Sequence, residues 1–116
     1  MSYFITGSNL LTRYVNTSGT SPVDVTPEVQ GRACVIASVE VTDIGGGTGN
    51  LTIDIYDPDT PATYFKRNAL AVTPKQSIPY VEPFWLPPNW RLRVTLSAGT
   101  ASVLVNYFNP NATGQR

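Results

Sequence analysis

The 116-residue chain has no histidine, and cysteine occurs once, at Cys34. Without histidine the commonest general base of nucleophilic catalysis is missing. A single sulfur can close no intramolecular disulfide, and with no imidazole beside it cannot complete a zinc site. Charge is scarce as well: eight basic and eight acidic residues, 14% of the chain, cancel to zero. That balance gives no long-range pull toward nucleic acid or an anionic membrane. Low surface charge also removes an ordinary protection against association, so much of the surface is expected to meet other protein. No run approaches the ~20 apolar residues of a membrane span. Residues Met1 to Thr6 lack the basic start and apolar core of a signal peptide, so synthesis and folding in the cytoplasm are expected. Helical periodicity is absent throughout, which excludes a bundle.

What the chain does have is punctuation. Ten prolines and nine glycines separate short runs rich in Val, Ile, Thr and Tyr. This spacing predicts an all-β fold: an antiparallel two-sheet β-sandwich, jelly-roll or immunoglobulin-like, of about seven to nine strands. The expected organisation is an N-terminal arm or peripheral strands over 1–21, the sandwich over 22–108, and a flexible tail over 109–116. Within the sandwich, Pro22, Pro27 and Gly31 forbid a long central strand.

Alternation assigns the faces of the stronger strands. Val35, Ala37, Val39 and Val41 are expected inside, against Ile36, Ser38, Glu40 and Thr42 outside. Leu51, Ile53 and Ile55 face in while Thr52, Asp54 and Tyr56 face out. Leu92, Val94 and Leu96 face in, as do Val103, Val105 and Tyr107. Two hairpins follow from the short connections: one joined by the glycine-rich stretch 45–50, the other by Ala98-Gly99-Thr100. Asp57-Pro58-Asp59-Thr60-Pro61 reads as a turn, with proline presetting the backbone and the aspartates bonding nearby amides. Cys34, at the head of the most apolar strand, reads as a buried, inert small hydrophobe.

Candidate chemistry is thin. The glycines at 45–49 are followed by no Gly-Lys-Ser/Thr and lead into a strand, so they read as a flexible hairpin tip and not as a phosphate cradle. Asp54, Asp57 and Asp59 could offer oxygens to calcium, yet they lack the glycine and distal glutamate of an EF-hand loop; a proline-fixed turn is the preferred reading. Glu40 and Asp54, outward on strands expected to pair, are the one conceivable carboxylate dyad. No enzyme, catalytic residue, cofactor or metal is predicted from this set. The aromatics are more informative. Tyr80, Phe84, Trp85 and Trp90 fall close together, and alternation places one tryptophan in the core and leaves the other as an interface anchor. Arg91 and Arg93 are too few for a single-strand nucleic-acid groove.

A core hairpin with a long glycine-rich tip, then Ala71-Val72-Thr73-Pro74-Lys75-Gln76-Ser77, then Leu86-Pro87-Pro88-Asn89-Trp90-Arg91-Leu92-Arg93-Val94, then Gly99 and a final Val-rich strand ending in Tyr107 resemble small β-sandwich virion proteins of tailed bacteriophages. Where such proteins often place a glycine before the penultimate strand, this chain has Asn89 and Trp90. The resemblance, over Arg32 to Phe108, implies a non-enzymatic virion structural protein, most readily a capsid decoration or cement protein. Its partner would be the major capsid protein or another virion structural protein, its location the virion, and its assembly a homo-oligomer. The expected contact residues are Tyr3, Phe4, Tyr14, Trp85 and Trp90. The alternative is a tail or head-tail accessory, or a carbohydrate-binding receptor-recognition module in which Trp90, Tyr80 and Asp57 line a shallow groove.

Overall fold

The computed structural model describes residues 10–27, 32–45 and 48–108. Among the described residues nine strands form two sheets: β1 (Leu10–Asn16), β2 (Val23–Asp24), β3 (Cys34–Gly45), β4 (Gly49–Asp57), β5 (Ala62–Val72), β6 (Ile78–Tyr80), β7 (Phe84–Leu86), β8 (Arg91–Leu96) and β9 (Thr100–Phe108). The first sheet runs β1-β9-β3-β6, with β7 also on β3, and the second runs β2-β8-β4-β5. Every pairing is antiparallel.

The partners nest. β1 takes β9, β2 takes β8, β3 takes β6 and β7, and β4 takes β5, so pairing proceeds from the first and last described strands inward to one turn. A single long hairpin is rolled into two facing sheets, which is the jelly-roll form of the expected sandwich. Its tip is the predicted turn. Asp57 Oδ1 accepts the Asp59 amide at 3.0 Å and Oδ2 accepts the Thr60 hydroxyl at 2.7 Å, while Asp57 pairs with Ala62 across the turn.

The core lies between the inward faces of these strands. Ile36, Val39, Val41, Val103 and Val105 from the first sheet meet Leu51, Ile53, Leu92, Val94 and Leu96 from the second, all at 1% exposure or less. Each such side chain contributes about 1.5–3 kcal/mol by leaving water. Cys34, at 2% exposure, is part of this layer, and burial pushes its thiol up to about 11. It is a core hydrophobe and not a nucleophile.

Three expectations about strand relations are corrected. Neither predicted hairpin forms: β3 and β4 lie in different sheets, as do β8 and β9. Alternation states only that each strand has one buried face. Two such strands satisfy it equally by lying side by side or by facing each other across a core, and here they face each other. The inner face of β3 also changes phase. The register slips between Ile36 and Ser38, so Cys34 and Ile36 point inward before the bulge and Val39 and Val41 after it, leaving Val35 outside.

Side chains finish the ladders where strands stop. Past β1, Thr17 donates its amide to Ala101 O and accepts the Ala101 amide on Oγ1, both at 2.8 Å. Past the two-residue β2, Thr26 Oγ1 accepts the Leu92 amide at 2.9 Å. At the start of β4 the chain passes so close to the β8–β9 connection that a Cβ on Gly49 would lie 2.7 Å from Ser97 Oγ and 3.1 Å from the Ala98 nitrogen. A larger residue there would have to displace the Ser97 side chain and press on the Ala98 backbone.

Candidate functional site

The outer face of the first sheet carries two of the expected contact residues. Trp85 sits at the centre of β7, a three-residue strand framed by Pro83 and Pro87, and is 59% exposed. Tyr14 on β1 is 74% exposed. Register sets their neighbours. Leu10 pairs with Phe108, Phe108 with Val35 and Val35 with Trp85, which makes one outward apolar row across four strands. At ~4.8 Å between strands the row is about 14 Å long. Beside it runs a polar row in which the Thr12 hydroxyl donates to Asn106 Oδ1 at 2.6 Å and Asn106 Nδ2 donates to Ser38 Oγ at 2.9 Å. The next row returns to apolar groups, Tyr14 opposite Leu104, and ends at Glu40 and Pro79. The β3 bulge is what puts Val35 into this surface.

Trp90 lies elsewhere. Pro87-Pro88-Asn89-Trp90 forms a turn closed by the Trp90 amide donating to Pro87 O at 3.2 Å, with Asn89 at φ 67°. Asparagine there does what glycine does in a type II turn. The turn brings Trp90 half-buried against the core, where it stacks on Tyr64 of β5 with centroids 5.4 Å apart and planes 10° from parallel. Trp85 is therefore the exposed tryptophan and Trp90 the packed one. Tyr3 and Phe4 lie outside the described residues, as does the expected tail over 109–116.

A second surface opens where the edge of the second sheet, β5, faces the edge strands β6 and β7 of the first. The register of β5 on β4 slips near Phe65, so that Lys66 and Arg67 both turn toward this mouth. Lys66 Nζ lies 4.8 Å from the Phe84 ring centroid and Arg67 Cζ 5.3 Å from that of Tyr80. Tyr80 and Phe84 meet edge to face at 6.0 Å. Desolvation, then the neighbouring Glu82 carboxylate, which accepts the Tyr80 hydroxyl at 3.4 Å, push the Tyr80 phenol above its ordinary range; the Arg67 charge opposes them. Composition did not reveal this cluster, because its residues come from three strands and its cations share a face only through a bulge.

The residues considered for carboxylate or calcium chemistry do not converge. Glu40 and Asp54 project from different sheets on opposite outer faces of the sandwich, since β3 and β4 do not pair. Asp54, 3% exposed although it points outward, accepts Arg93 Nε at 2.8 Å, and the same guanidinium covers the Tyr56 ring at 4.3 Å. Asp57 spends both oxygens within its own turn. Among the described residues no three His, Cys, Asp or Glu side chains gather in a metal-binding arrangement. Of the groove trio, Trp90 stacks on Tyr64, Tyr80 packs on Phe84, and Asp57 is buried in the hairpin tip.

No protein-family model and no curated protein matches the chain. Among solved structures it is similar to the Clostridium thermocellum N-terminal endo-1,4-beta-D-xylanase 10B CBM22-1-GH10 modules complexed with xylohexaose, at 14% identity and a TM-score of 0.44 over 87% of this chain. The chain spans 25% of the length of that one.

Proposed function

We propose that this jelly-roll is a non-enzymatic structural module that docks on a protein partner through the outer face of its first sheet, and that it serves as a decoration protein of a tailed-phage shell. The observation that carries the docking reading is the in-register row Leu10, Phe108, Val35 and Trp85. A sheet face left to water ordinarily alternates to polar residues. Here an aromatic at 59% exposure closes an apolar row on a flat, strand-borne surface, as an interface anchor does. The phage assignment rests on the sequence pattern from Arg32 to Phe108. On this reading the module is made in the host cytoplasm, attaches to assembled capsid subunits, and stabilises the shell by bridging them as an oligomer of identical copies.

The test has two parts. Mass spectrometry of virions purified from the phage whose genome carries the gene should find the protein, and its neighbours on that genome should encode shell, scaffold or portal proteins. Shells stripped of the protein should then rebind the wild type in co-sedimentation but not the Tyr14→Asp, Trp85→Asp double variant. Rebinding by that variant removes the docking face. A gene among fibre or baseplate genes moves the module to the tail, and a non-viral neighbourhood ends the virion reading.

A further inference from the structure

We propose that the mouth between β5 and the β6–β7 edge is a binding site for a carboxylated sugar, with Arg67 and Lys66 taking the carboxylate and the Tyr64–Trp90 stack supporting the ring. This site is separate from the docking face and does not rest on the function assigned to it.

Arg91 and Arg93 each have an aspartate, Asp24 at 3.9 Å and Asp54 at 2.8 Å. Lys66 and Arg67, adjacent in sequence and turned to the same side by the bulge, have no ion-pair partner among the described residues; their neighbours are the rings of Phe84 and Tyr80. Glu82, the acid on this rim, is engaged by the Tyr80 hydroxyl and pairs with neither cation. The Nε of Arg67 is shut off from water and has no hydrogen-bond acceptor among the described residues. A partly desolvated guanidinium without an anion gains more from a carboxylate than a solvated one does, because the attraction is less screened and part of its desolvation has already occurred. The rings also fix the position of both charges, so an incoming anion orders little that is mobile.

The neighbouring aromatics favour a sugar over a peptide acid. Tyr64 is 49% exposed while stacked on Trp90, and it precedes Lys66 by two residues, about 7 Å along the strand. One pyranose ring with its carboxylate fits that separation. An acidic peptide would bind a sheet edge by adding a strand. The β5 edge does not suit this: its register slips twice and Ala69 sits at φ 55°, which interrupts the row of amides and carbonyls a peptide needs. Recognition at this edge therefore falls to side chains, and those present are aromatic rings and cations.

Isothermal titration of the whole chain with oligogalacturonate at low salt should give saturable binding that weakens as salt rises. Neutral xylo- and cello-oligosaccharides should give none. Arg67→Gln should weaken binding at least about tenfold and Tyr64→Ala should also reduce it, with both variants still folded at the titration temperature. Arg67→Lys should bind between the two, which separates lost charge from lost packing. No heat with oligogalacturonate, or equal affinity in Arg67→Gln, overturns the site. Equal binding of poly-glutamate or inorganic phosphate overturns the sugar assignment.

Discussion

Arg93 should be far more important to folding than an outward-facing arginine on a sheet normally is. Its partner Asp54 has a side chain only 4% exposed, and Arg93 itself is 23% exposed. At an effective dielectric of ~20 the attraction of such a pair is of the order of 4 kcal/mol, most of which offsets the desolvation of the two charges. Removing one partner therefore reveals the desolvation cost of the other. Arg93→Met strands a buried carboxylate and also uncovers Tyr56, and breaking a buried pair in this way costs about 3–5 kcal/mol. Because Arg93 keeps partial contact with water, the lower end, ~3 kcal/mol, is expected. For a domain of this size that corresponds to roughly 12 °C in Tm. The double variant Asp54→Val, Arg93→Met replaces both charges with apolar groups and should return to within ~1 kcal/mol of wild type. Urea unfolding followed by tryptophan fluorescence measures both, with an unchanged m-value confirming that the midpoint shift is a stability change. A loss under ~1 kcal/mol in the single variant, or a double variant as unstable as the single, would refute the reasoning.

Two further perturbations probe the ladder ends and the core. Thr17→Val keeps the shape of a side chain 4% exposed but leaves the Ala101 amide without its acceptor. It should cost ~1–3 kcal/mol in urea unfolding, and Thr17→Ser, which keeps the hydroxyl, should cost less. Burial raises the Cys34 thiol from its ordinary 9.0 to about 11, so its contribution to stability is full below pH 9 and is lost as pH rises toward 11. Between those values the wild type should lose ~2 kcal/mol more than Cys34→Ala in unfolding free energy, as read from denaturation curves at each pH. Parallel loss in the two proteins would show that the thiol ionises as freely inside as outside.

Local physics is what the amino-acid sequence determined. Proline and glycine spacing with period-two runs was enough for an all-β sandwich, because those signals concern each residue's own backbone and its own two faces. The inward sets Leu51, Ile53, Ile55 and Val103, Val105, Tyr107 follow from this, and so does the hairpin tip at Asp57, whose turn is closed within four residues. Asn89, which breaks the expected glycine, kept the turn because asparagine tolerates positive φ. The tertiary structure decided which buried face meets which. A strand with one apolar face can pair beside its neighbour in sequence or stack across from it, and the energies of those choices are set by the whole roll; hence β3 and β4, and β8 and β9, parted into opposite sheets. Bulges decided the rest. One slipped register turned Val35 outward to join Trp85, and another turned Lys66 and Arg67 together into the mouth. Alternation carries no mark of where it will break, since a bulge forms to reconcile a strand with its partners and those partners lie far away in sequence.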